Sequence, residues 1–231
     1  MSRHAAAGAS LTDLVLSSGF LAFAAQAGFL KGVEERGEEV GGLCGTSSGA
    51  LAGALWASGW PADRIYEQLC GQLPLHFLRP HLAMWRGLLS LRAVVEQLRI
   101  DLPPTFADLE RPLGIGVVDN GRPRLVTTGD LPLAVAASCA IPYVFAPIRR
   151  EGRVLSDGGA LDRTALDAWR RHRPERPILL HLVERSSGAQ GALDLTDVRV
   201  VRSPRSRAQL WRMGDTGARF ERARHAVQDV G

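Results

Sequence analysis

Gly45-Thr46-Ser47-Ser48-Gly49 fits the pattern G-x-S-x-G. A nucleophilic serine has to stand clear of a sheet on a tight strand-to-helix turn. Glycines two residues before and two after leave room there for the neighbouring backbone. The helix that follows points its N-terminus at the reacting centre, where negative charge develops. Ser47 is therefore the candidate nucleophile, with Gly45 and Gly49 shaping the elbow. The same five residues also suit a plain Gly/Ser turn, so the pattern alone leaves the chemistry open.

The surrounding pattern supplies the elements that such a turn needs. Val40 to Cys44 reads as a short strand and Ala50 to Ser58 as a small-residue helix stopped by Gly59. Upstream, Leu14-Val15-Leu16 reads as a buried strand entering Ser17-Ser18-Gly19. Phe20 to Glu35 then carries apolar residues at helical spacing up to the stop at Gly37. Strand, helix, strand, turn, helix is the order of a parallel sheet with covering helices.

Further on, residues 61–100 read as mostly helical and as a candidate cap, with an irregular apolar stretch from Leu73 to Trp85. Leu113–Val118, Leu125–Thr127, Val154–Ser156, Ile178–Val183 and Val198–Val201 read as strands, with a hairpin turn at Asp119-Asn120-Gly121. Leu131–Cys139 reads as a helix, Arg205–Val227 as a basic helix, and Glu184–Asp194 as a loop.

Three ordered segments resemble the patatin-like phospholipase family. The first is Leu14 to Phe20, where the family has a glycine-rich oxyanion loop, continuing to Gly28-Phe29-Leu30. The second is Gly45 to Ala50, and the third is Asp157-Gly158-Gly159, which is similar to the family's D-G-G/A motif. Phe106-Ala107-Asp108-Leu109 with Pro112-Leu113, and Ala136 through Pro147, resemble two connecting stretches. The likeness runs over about residues 12–185. It implies a three-layer α/β/α sandwich with a mainly parallel sheet, in one domain spanning 1–231. It also implies a serine acyl-ester hydrolase working through an acyl-enzyme with a Ser47–Asp157 dyad, and an oxyanion hole from the amides of Ser18 and Gly19.

Two departures qualify that expectation. The family's oxyanion loop has more glycines and an arginine. Here Ser17 and Ser18 replace glycines, and Leu21 or Ala22 stands where the arginine would be. After the aspartate, Ala160 to Ala165 lacks the family's N-x-P. A hydrolase preferring neutral esters, with no cation in the loop for a phosphate, is one expectation. A weakly active or inactive fold that binds lipid or a partner is the other. Arg149, Arg150 and Arg163 flank the aspartate segment and could supply a cation from elsewhere.

Composition narrows little. The 231 residues are 45% hydrophobic and 23% charged, with a formal net charge of +4 and nearly all the positive charge on arginine. No helix-turn-helix, zinc-finger or RNA-binding motif is present, so nucleic acid is not an expected partner. No metal-ligand cluster or cofactor fingerprint appears, so the reading calls for no cofactor and no metal. Three cysteines without paired spacing point to reduced thiols and a cytoplasmic chain. The expected partner is a lipid or ester substrate. The basic run from Arg202 to Arg224 is either a solvated face or a peripheral contact with anionic lipid.

Overall fold

The structure is a computed structural model that describes residues 11–71, 73, 79–80, 89–150, 152–184 and 193–230. The chain opens with β1 (Thr12–Leu16), α1 (Phe23–Arg36), β2 (Val40–Thr46) and α2 (Ser48–Ala57). It continues through α3 (Ala62–Cys70), a two-residue antiparallel pair of β3 (Arg79–Pro80) with β4 (Leu89–Ser90), and α4 (Arg92–Asp101). Then come β5 (Leu113–Asp119), β6 (Arg122–Val126), α5 (Leu131–Ser138), β7 (Ile148–Arg150) and β8 (Arg153–Asp157). The last elements are α6 (Leu166–His172), β9 (Ile178–Val183), β10 (Val198–Ser203) and α7 (Thr216–Gln228).

Eight strands form one sheet in the order β10-β9-β1-β2-β5-β8-β7, with β6 also on β5. Strands β10 through β5 run parallel, and β6, β7 and β8 are antiparallel additions at one end. The inner strands β9, β1 and β5 are buried along their length, so Ile178–Leu180, Leu14–Leu16 and Leu113–Val118 read as apolar runs. Alternation then sorts their side chains. Leu14, Leu16, Leu43 and Leu179 enter the core beneath α1, α2 and α3. Val15, Cys44, Leu180 and Leu182 enter a second core with Leu166 and Trp169 of α6. The result is a three-layer α/β/α sandwich with a mainly parallel sheet.

Local chemistry explains the boundaries. Gly37, at φ 64°, ends α1 in the left-handed conformation, and its amide bonds Glu34 O. Asn120 and Gly121, at φ 46° and 82°, make the two-residue hairpin between β5 and β6. Asp130 caps α5 by accepting from Leu133 N.

The helix expected from Phe20 begins at Phe23, because residues 17–22 form a loop in which Leu21 takes φ 48°. The helix expected over Arg205–Val227 covers only Thr216–Gln228. Gly214, at φ 67°, and the Asp215 cap start it late, while Ala208 and Met213 upstream pack on Leu21 instead. Most of the apolar stretch Leu73–Trp85, and residues 185–192 of the Glu184–Asp194 loop, lie outside the described residues.

One feature of the register matters most for the site. Gly116 of β5 pairs with Thr46 on one edge and Leu125 on the other. Its neighbour Val117 pairs with Asp157 and, across the strand, with Arg124. Strands β2 and β8 therefore share one edge of β5 and run head to head along it. The end of each, Thr46 and Asp157, stops at an adjacent position of β5.

Candidate active site

Ser47 sits between the end of β2 and the start of α2 with φ 54° and ψ −119°. A non-glycine residue in that region costs on the order of 1–3 kcal/mol and persists only where its surroundings fix it. The surroundings do so here. Ser138 Oγ accepts the Ser47 amide at 2.8 Å and donates to Gly116 O at 2.6 Å. The Ser47 carbonyl accepts from Leu51 N at 3.1 Å and from the Cys139 thiol at 3.4 Å. Burial pushes the Cys139 thiol up, so it stays protonated and does not compete as a nucleophile. A Cβ on Gly45 would stand 2.5 Å from Gly49 O, so the elbow closes only with glycine there.

Head-to-head strands bring Asp157 to this turn. Ser47 Oγ donates to Asp157 Oδ2 at 2.8 Å, and Gly159 N donates to Oδ1 at 2.7 Å. Both side chains are nearly closed to solvent, Ser47 at 8% and Asp157 at 4% exposure. Burial raises the Asp157 pKa to about 6, against the lowering effect of those two hydrogen bonds. A carboxylate with that pKa is mostly ionised at neutral pH and still basic enough to take a proton.

The loop from Ser17 to Ala22 lies beside them. Ser18 N donates to Arg163 O at 2.7 Å, so this amide already has a partner. Among the described residues Gly19 N has none. Of the two amides expected to serve as oxyanion donors, that of Gly19 is therefore the one left unpaired. Leu21 and Ala22, at the position of the absent arginine, are buried, and Leu21 packs against Ala208 and Met213.

A polar network holds the loop from beneath. Gln26 Nε2 donates to Ser17 O at 2.8 Å, and Gln26 Oε1 lies 2.7 Å from His181 Nδ1. With the amide oxygen facing it, His181 is the Nδ1–H tautomer, and its Nε2 accepts from Ser203 Oγ at 2.9 Å. Burial lowers the His181 pKa to about 3, so the ring is neutral at physiological pH. It is a structural histidine stacked on Phe29.

Two cavities open from the Ser47 turn. One, of about 170 Å³, is almost wholly apolar, with Phe23, Leu51, Leu55 and Leu91 in its walls and α3 and α4 supplying one side through Leu69 and Leu98. The other, of about 270 Å³, is more polar and is bordered by Asp157, Arg163, Glu184 and Arg205. Gly19, Phe20 and Ser47 border both. No group of metal-ligating side chains occurs among the described residues.

The family model for patatin-like phospholipase matches residues 14–169 of the chain. The chain belongs to the patatin-like phospholipase family. An uncharacterised NTE family protein of Mycobacterium tuberculosis is 32% identical over 154 residues, which cover 64% of this chain and 42% of that protein. The lysophospholipase nte1 of Aspergillus oryzae is 28% identical over 165 residues, covering 64% of this chain and 10% of that one. The match thus spans less than half of these relatives. Among solved structures, VipD from Legionella pneumophila superposes with a TM-score of 0.58 at 14% identity, over 95% of this chain and 66% of that chain. That likeness concerns the fold.

Within this patatin-like domain, Ser138 is a site residue that the sequence reading did not single out. It lies in the Ala136–Pro147 stretch, and only the crossing of α5 behind the elbow gives its hydroxyl a role. Ser138→Ala leaves the Ser47 amide and Gly116 carbonyl buried without this partner. The expected result is a stability loss of about 1–3 kcal/mol in urea unfolding. A variant as stable as the parent would show that the elbow holds without it.

Proposed function

We propose that this patatin-like domain hydrolyses lipid acyl esters through a Ser47–Asp157 dyad. The observation that carries the reading is the 2.8 Å hydrogen bond from Ser47 Oγ to a buried carboxylate, on a strained elbow facing an apolar cavity. In this reading Ser47 Oγ attacks the ester carbonyl while Asp157 accepts its proton. The tetrahedral oxyanion is met by Gly19 N–H and the N-terminus of α2. Asp157 returns the proton to the departing alcohol, leaving an acyl-serine. A water that gives its proton to Asp157 then attacks, and the acid leaves as Ser47 recovers its hydrogen.

The acyl chain occupies the apolar cavity, covered by α3 and α4, and the alcohol leaves through the more polar one. Neutral esters are the proposed class, because Leu21 and Ala22 carry no cation and, of the two arginines bordering the polar cavity, Arg163 is engaged by the carbonyls of Ser18 and Val183. The lysophospholipase name of the Aspergillus relative agrees with a lipid ester as substrate. A peripheral lipid contact fits the same face. Phe20 is half-exposed in the cavity walls, and exposed Tyr143, Leu161 and Trp211 each follow a wall residue in the chain.

A fluorophosphonate probe tests the reading. It should label the parent protein and not Ser47→Ala, and p-nitrophenyl octanoate turnover should vanish in parallel. A monoacylglycerol should be hydrolysed faster than a phosphatidylcholine of matched chain length, and the protein should sediment with vesicles. A folded parent protein that neither labels nor turns over ester would favour a lipid-binding or partner-binding role.

A further inference from the structure

We propose that Arg163 is a positioning residue for the oxyanion loop, holding the Ser18 peptide so that the Gly19 amide keeps its place beside Ser47. This inference rests on the hydrolase reading above.

The loop needs external support. Serines at 17 and 18 replace glycines, and the position of the absent arginine is filled by buried side chains that make no polar contact with the loop. Arg163 meets that need from the other side of the site. Its guanidinium Nη2 donates to Ser18 O at 3.0 Å and to Val183 O at 2.5 Å. Its own carbonyl accepts the Ser18 amide at 2.7 Å. Both polar groups of the Ser18 main chain are thus held by one residue, and the Gly19 N–H belongs to the same rigid peptide unit as the Ser18 carbonyl that Arg163 holds.

Arg163 is itself well anchored. The Asp162 carboxylate accepts from Thr164 N at 3.1 Å and Ala165 N at 2.9 Å, fixing the turn into α6. The Ser18 side chain packs over Gly159, where a Cβ would fall 2.7 Å from Ser18 Cβ. The segment that bears the base and the loop that bears the oxyanion donor are therefore joined through Arg163, with the end of β9 as a third anchor. The planar fork of arginine can serve two carbonyls at once, which a lysine ammonium does less well.

The test compares Arg163→Ala and Arg163→Lys with the parent on p-nitrophenyl octanoate, following kcat, KM and the pH profile. Displacing an oxyanion donor should lower kcat in Arg163→Ala about 10²-fold, with KM within about twofold. The pH limb should not move, because Asp157 is perturbed by burial, Ser47 and Gly159 and not by Arg163. Guanidinium at a non-denaturing concentration should restore part of kcat, and ammonium at equal ionic strength should not. Arg163→Lys should fall between the two. If Arg163→Ala does not fold, the lysine variant decides: lowered kcat in a folded protein supports positioning, and full kcat overturns it. Also contrary would be a folded Arg163→Ala with kcat within about threefold of the parent, with only KM altered, or with a loss that guanidinium leaves untouched. Persistent turnover in Ser47→Ala would instead remove the hydrolase reading itself, whatever Arg163 does.

Discussion

On the proposed mechanism, replacing Asp157 by Asn should lower kcat/KM for a soluble ester by about 10³-fold or more and remove the acidic limb of its pH profile. The size follows from losing the only base hydrogen-bonded to Ser47 among the described residues, since a positioned base contributes roughly 10²–10⁴-fold. The limb follows from the Asp157 pKa of about 6. Only the carboxylate can take the serine proton, so kcat/KM should climb as pH rises through 6 and level off above it. The same shift has a stability consequence of opposite sign. A pKa raised from 3.8 to about 6 means that the folded state binds more protons than the unfolded one between those values. Stability associated with Asp157 is therefore present below about pH 4 and lost as pH rises through 6. The deficit at neutral pH is on the order of 3 kcal/mol. Asparagine carries no charge to desolvate, so the variant should be at least as stable as the parent at pH 8. Urea unfolding at pH 5 and pH 8, beside the pH–rate profiles, checks both halves. An asparagine variant retaining the parent's activity and limb would remove Asp157 from the chemistry.

The two ends of this site differ in how they could be read from sequence. The elbow is local: a strand, a glycine-spaced serine and a small-residue helix follow one another in the chain, so pattern alone places Ser47. Asp157 stands 110 residues away, and only its D-G-G resemblance marks it. What brings it to Ser47 is that β2 and β8 end at neighbouring positions on one edge of β5, and no local preference encodes a register between distant strands. Ser138 and Arg163 act through contacts of the same long range, as a pin behind the elbow and a clamp on the loop. Nothing local marks Ser138, and the sequence marks Arg163 only as a possible cation beside the aspartate segment, not as a clamp. The Arg205–Val227 stretch misled for a related reason. Its charge and helix-forming residues favour a helix throughout, yet burial of Ala208 and Met213 against Leu21 outweighs that weak propensity before Gly214.

Gly49→Ala should unfold the domain or cost more than about 3 kcal/mol, while Gly53→Ala, one turn along the same helix, should be neutral or stabilising. Both glycines are buried in α2, and alanine is the better helix former at each by roughly 0.8–1 kcal/mol. Their surroundings decide the sign. A Cβ on Gly49 would lie 2.3 Å from Leu16 O and 2.7 Å from Leu16 C, backbone atoms at the end of β1. Neither can rotate away, so α2 would have to lift from the sheet. Lifting it would displace Ser47 at its N-terminus and the Ser17–Ala22 loop that follows Leu16, so residual protein should also have lost ester turnover. A Cβ on Gly53 would find only Leu43 Cδ2, at 3.9 Å, an ordinary packing distance. Thermal unfolding of the two variants beside the parent reads the contrast directly. The close approach of α2 to β1 is what places the elbow against the oxyanion loop. If Gly49→Ala kept the parent's stability and turnover, that contact would not be what sets the distance between them.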